Sequence, residues 1–130
     1  MITPSLAAAL AQLQALANFI DKGSNSATFI FFNDSKPVDV TVVANSSVKL
    51  VTLTLPKPCF KKLNSDSIEL HQTDAATVIK TGTATWARLL NGDGDAVADF
   101  AVGTDIILAN PSLIIGSTLM MNSIILRPST

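Results

Sequence analysis

Apolar residues first recur at helical spacing. Leu6, Ala9, Leu10, Leu13, Leu16, Ala17 and Ile20 fall three or four apart, which lays them along one stripe of a helix over residues 4–21. Thr3 can cap that helix, Pro4 suits its first position, and Gly23 after Asp21-Lys22 is a natural stop. Its opposite face holds Ala7, Ala8, Ala11, Gln12, Gln14, Ala15 and Asn18, with no charge among them. Helices turned only to water usually carry charge. This face therefore reads as one that packs on a neighbouring subunit as well as on its own domain, with Gln12 and Asn18 as polar contact points.

From residue 27 the pattern changes to β. Ala27–Phe32 is a short apolar run, Val38, Val40 and Val42 alternate with Asp39 and Thr41, and Val51, Leu53 and Leu55 alternate with Thr52 and Thr54. Pro56 and Pro58 then interrupt the ladder. Further strands are predicted at Ser67–His71, Thr77–Thr81, Thr83–Leu90, Ala96–Val102, Ile106–Leu108 and Leu119–Leu126. Turn residues separate them at Asn33-Asp34-Ser35, Asn45-Ser46-Ser47, Asn64-Ser65-Asp66, Asn110-Pro111-Ser112 and Gly116-Ser117. A parallel sheet would need a helix between successive strands, and only one helix is available. The expected fold is mainly β: an antiparallel β-sandwich, jelly-roll-like in one version, with one N-terminal α-helix. Residues 1–24 form the helix and linker and residues 25–130 the β-sandwich domain, as one structural unit.

Composition narrows the function. The chain has 130 residues, 48% hydrophobic and 15% charged, enough to build one real core. Nine basic and ten acidic residues leave a net charge of −1, and Lys61-Lys62 is the longest basic run. No electropositive field for nucleic acid results. A single cysteine, Cys59, rules out an intrachain disulfide and fits a reducing compartment. Gln12 and Gln14 interrupt the apolar N-terminal stretch, which reads as neither signal peptide nor membrane span. A soluble protein made in the cytoplasm is expected.

Catalytic groups are scarce. His71 is the only histidine and Glu69 the only glutamate, and tyrosine is absent. Glu69 and His71 would share one face of a strand, either as an acid–base pair or as an exposed polar edge. Cys59 would need His71 as its base to serve as a nucleophile; otherwise it is a small buried hydrophobe. Asn91, Asp93, Asp95 and Asp99 could present oxygens to a Ca²⁺ ion. With Phe100–Gly103 the stretch resembles one integrin-type FG-GAP calcium loop, although such loops recur in a propeller and this chain has one copy. The competing reading is a hairpin turn whose Gly and Asp residues supply positive φ. Trp86 and Arg88 share a strand face, either as an interface anchor or as a core Trp beside an edge Arg.

The order of several blocks resembles a widespread group of small tailed-bacteriophage and prophage proteins. The blocks are Phe31-Phe32-Asn33-Asp34-Ser35-Lys36-Pro37, Leu53-Thr54-Leu55-Pro56-Lys57-Pro58-Cys59-Phe60, Gly82-Thr83-Ala84-Thr85-Trp86-Ala87-Arg88 and Ala98-Asp99-Phe100-Ala101-Val102-Gly103. Ile106-Ile107-Leu108, Ile114-Ile115-Gly116 and Ile124-Ile125-Leu126-Arg127-Pro128 complete the series. The likeness spans most of the chain. It implies a virion-associated structural protein encoded among head and tail genes, with no catalytic residues and no resident cofactor. The expected role is a non-enzymatic head-decoration or tail-associated subunit located in the virion. Its expected partners are further copies of itself, a trimer among the allowed symmetries, and other virion proteins, with neither nucleic acid nor membrane. The alternative is a carbohydrate- or receptor-binding module on the particle surface.

Overall fold

The computed structural model describes residues 4–108, 110–121 and 124–127. Helix α1 spans Leu6–Ile20. The strands are β1 Thr28–Phe32, β2 Lys49–Thr54, β3 Phe60–Leu63, β4 Ile68–Leu70, β5 Ala76–Thr77, β6 Gly82–Thr83, β7 Trp86–Leu90, β8 Ala96–Ala101, β9 Ser112–Leu113, β10 Thr118–Leu119 and β11 Ile124–Leu126. Among the described residues strand accounts for 35% against 15% for helix. The fold is mainly β, and every ladder between named strands is antiparallel.

The helix begins later than its pattern predicts. Ser5 adopts an extended backbone and its hydroxyl oxygen accepts the Ala8 N–H at 3.2 Å, so Ser5 is the cap. Thr3 lies outside the described residues. The last turn closes with Asp21 N–H on the Ala17 carbonyl at 3.1 Å, and Gly23 at φ +108° turns the chain away.

Two sheets supply most of the fold. One is four-stranded in the order β2-β1-β7-β8, the other three-stranded in the order β11-β4-β3. Two short pairs, β10-β5 and β6-β9, flank them. In the larger sheet Phe29 stands opposite Leu53 and Leu89, and Phe31 opposite Val51 and Ala87, so one face is continuously apolar. That face joins Ile68 and Leu70 of β4, Ile124 of β11, and Ala17 and Ile20 of the helix in one core. Each fully buried Leu or Ile there contributes about 1.5–3 kcal/mol.

The other face of the larger sheet carries a second, smaller cluster. Ile30 pairs with Thr52 and Arg88, Arg88 with Asp99, and Phe32 with Trp86. Phe32 and Trp86 stack with ring centroids 4.4 Å apart. The segment 33–45 crosses above them. Here the predicted strand at Val38–Val42 does not form. Asp39 Oδ1 accepts the Thr41 N–H at 2.9 Å and the Thr41 hydroxyl, and Val42 N–H bonds the Asp39 carbonyl. The aspartate thus offers the backbone a turn in place of a ladder.

Other boundaries shift for comparable reasons. Thr77–Thr81 shortens to β5, because Val78 and Ile79 donate to the Ser117 and Leu50 carbonyls. Thr83–Leu90 divides into β6 and β7 at Ala84 and Thr85, whose N–H groups bond Pro111 and Phe32 carbonyls. Ile106–Leu108 forms no strand; Ile106 makes only an isolated parallel bridge to Val102. Leu119–Leu126 appears as β10 and β11, with residues 122 and 123 outside the described set. Strands β3 and β9 were not expected, since Phe60-Lys61-Lys62-Leu63 does not alternate.

Candidate functional site

The helix linker is fastened to the turn between β7 and β8. A Cβ on Gly92 would stand 2.0 Å from the Asn25 carbonyl oxygen and 2.7 Å from that of Lys22. A Cβ on Gly23 would stand 2.6 Å from the Asp93 nitrogen. Two glycines therefore let two backbones touch, and the Lys57 ammonium donates to the Gly23 carbonyl beside them. This crossing fixes which helix face meets the core. Ala9, Ala17 and Ile20 are buried, whereas Leu6, Ala7, Ala8, Ala11, Gln12, Ala15, Asn18 and Phe19 are exposed. Gln12 and Asn18 lie on that open face, as the sequence suggests.

The same turn decides the calcium reading. Asn91 Oδ1 accepts the Asp93 and Asp95 N–H groups at 3.0 and 2.9 Å, and is used up in closing the turn. Its Nδ2, a donor and so the wrong polarity for a cation, is buried without a partner among the described residues. Asp99 is drawn along β8 to Arg88, with Nε–Oδ1 at 2.7 Å and Nη2–Oδ2 at 3.1 Å. Asn91, Asp93, Asp95 and Asp99 thus do not converge. Among the described residues no three His, Cys, Asp or Glu side chains gather as a metal ion would require.

Trp86 and Arg88 are not surface anchors in this chain. Trp86 is 0% and Arg88 7% exposed. Trp86 Nε1 donates to Asp34 Oδ1 at 2.7 Å, and Arg88 Nη1 donates to the Val42 carbonyl at 2.7 Å. The Arg88 guanidinium carbon also lies 5.3 Å from the Trp86 ring centre. The reading of a core Trp is correct. The arginine is an inner member of its sheet, not an edge residue.

Nothing brings the catalytic candidates into a working pair. Glu69 lies 3.2 Å from Lys61 and 3.9 Å from Lys62, not against His71. His71 follows the end of β4, and its N–H bonds the Cys59 carbonyl at 2.8 Å. Cys59 is fully buried; its Sγ faces the Ala17 carbonyl at 3.6 Å and its N–H bonds Asp21. Burial, then the charge of Asp21, pushes its thiol up to about 12, the reverse of what a nucleophile needs.

What sequence reasoning missed is an apolar surface beside β9 and β10. Ile107, Ile114, Ile115 and Met120 are 75%, 63%, 63% and 40% exposed. All but Ile115 line a shallow depression of about 570 Å³ with Leu119 and Met121. Among the described residues no helix is long and apolar enough to cross a membrane.

Comparison with protein-family models, with curated proteins and with solved structures finds no match to this chain.

Proposed function

We propose that the chain is a non-enzymatic structural subunit that works by packing against copies of itself and against other subunits. The carrying observation is helix α1. None of its fifteen residues is charged, and its outward face of Leu6, Ala8, Ala11, Gln12, Ala15, Asn18 and Phe19 is left uncovered. The exposed Ile107, Ile114, Ile115 and Met120 add a second apolar area. Burying such surfaces favours association at about 25 cal/mol per Å² before its entropic cost. The blocks that resemble tailed-phage proteins suggest the setting, a head-decoration or tail-associated position in a virion. A carbohydrate-binding reading has less support, since the lone tryptophan is shut inside and offers a sugar no platform. Light scattering across a concentration series tests association, and a monomer at millimolar concentration overturns it. Mass spectrometry of purified particles from a phage encoding the chain tests the setting, and its absence from them removes the virion.

A further inference from the structure

The segment 35–44 is built unlike the rest of the chain. Val38 and Val43 are each 90% exposed and Val42 is 42% exposed, so its apolar side chains point mainly away from the sheet it covers. Its internal bonds run from Thr41 and Val42 back to Asp39 and hold it to itself. It is pinned to the sheet by polar contacts near its two ends. Trp86 Nε1 and the Thr85 hydroxyl donate to Asp34 on one side, and Arg88 Nη1 donates to the Val42 carbonyl on the other. Beneath it lie Phe32 and Trp86, buried yet outside the main core. A covering layer that buries little apolar area of its own and hangs on a few hydrogen bonds belongs to the low-stability end of a structure.

We infer that residues 35–44 form a hinged strap that swings off the sheet as a unit while the sheet stays folded, uncovering Trp86. The hinges are Asp34 and Asn45. Asn45 is itself anchored, since its Oδ1 accepts the Ser47 N–H at 3.0 Å. Opening breaks the Arg88 contact to Val42 and turns the Asp34 carboxylate off the Trp86 indole, but leaves the Arg88–Asp99 pair intact within its ladder. The exposed valines are equally solvated in both positions, so they do not hold the strap shut. This inference concerns motion within one chain and stands apart from any assembly.

Trp86 is the only tryptophan and reports the event directly. The experiment follows hydrogen exchange of the indole N–H and of the Phe31 and Leu89 amides, by NMR across low urea concentrations, in wild type and Asp34→Ala. The strap predicts that the indole proton exchanges faster than the sheet amides and with little urea dependence. Removing the Asp34 acceptor should then speed indole exchange about tenfold or more while the sheet amides change less than about twofold. If Asp34→Ala does not fold, the wild-type urea dependence decides alone. Indole and sheet protons exchanging at one rate with one urea slope overturn the strap, because Trp86 is then reached only by global unfolding.

Discussion

Replacing Gly92 by alanine tests the crossing that orients the helix. The new methyl carbon would lie 2.0 Å from the Asn25 oxygen and 2.7 Å from the Lys22 oxygen. Both are backbone atoms, so no side chain can rotate aside. Either the 22–25 linker lifts or the β7–β8 turn shifts. Overpacking of this kind costs about 1–3 kcal/mol. The reduced freedom of the unfolded alanine chain returns about 0.4–1 kcal/mol. Because both clashing atoms belong to the backbone, the top of the overpacking range applies, about 3 kcal/mol, and the net loss is about 2 kcal/mol, which in a domain of this size lowers Tm by about 6–8 °C. Gly94→Ala, two residues on, is the control. Nothing lies within 4 Å of its Cβ position, but φ is +86°, so only the backbone strain of about 1 kcal/mol is expected. Thermal melts followed by circular dichroism compare the two. A Gly92→Ala protein melting within about 1 °C of wild type, or one more stable than Gly94→Ala, refutes the fastening of linker to turn.

Arg88→Met leaves the Asp99 carboxylate, only 4% exposed, without its partner, and should cost about 3–5 kcal/mol by urea titration; adding Asp99→Leu should restore most of that loss. Cys59 should resist alkylation at pH 8 in the native protein and react at once in urea. Because its folded pKa of about 12 lies above the ordinary 9.0, stability should be unaffected below pH 9 and fall as pH rises through that window, an effect Cys59→Ala removes from the pH profile. Gln12→Lys with Asn18→Lys should weaken self-association at least about tenfold in sedimentation experiments, while melting of the isolated chain stays within about 0.5 kcal/mol because both side chains are exposed.

The periodic segments were legible and the polar switches were not. Leu13, Leu16, Ala17 and Ile20 announce the helix, and Val51, Leu53 and Leu55 announce β2, because burial on one face imposes a period. Val38–Val42 carries the same period and yet turns, because Asp39 and Arg88 take its hydrogen-bonding groups. No local pattern reveals a claim made by a residue forty-six positions away. Trp86 and Arg88 were correctly placed on one face. Which face lies under a covering segment depends on how 33–45 returns across the sheet, a long-range matter. Ile107 falls in the expected strand Ile106–Leu108, which does not form, and Ile114 and Ile115 fall in no expected element, so no local pattern announces their exposure.

The lysines of β3 have a consequence for crowding. Lys61 and Lys62 stand on the outer strand of the three-stranded sheet, side chains 49% and 59% exposed, and share one glutamate. A foreign strand zipping onto that rim would have to strip water from two ammonium groups with a single carboxylate between them. At the far rim of the larger sheet, Asp105 caps the Ala101 N–H and a bulge beside Leu89–Leu90 spoils the spacing. The β3 and β8 rims are therefore poor templates for a further strand to pair with.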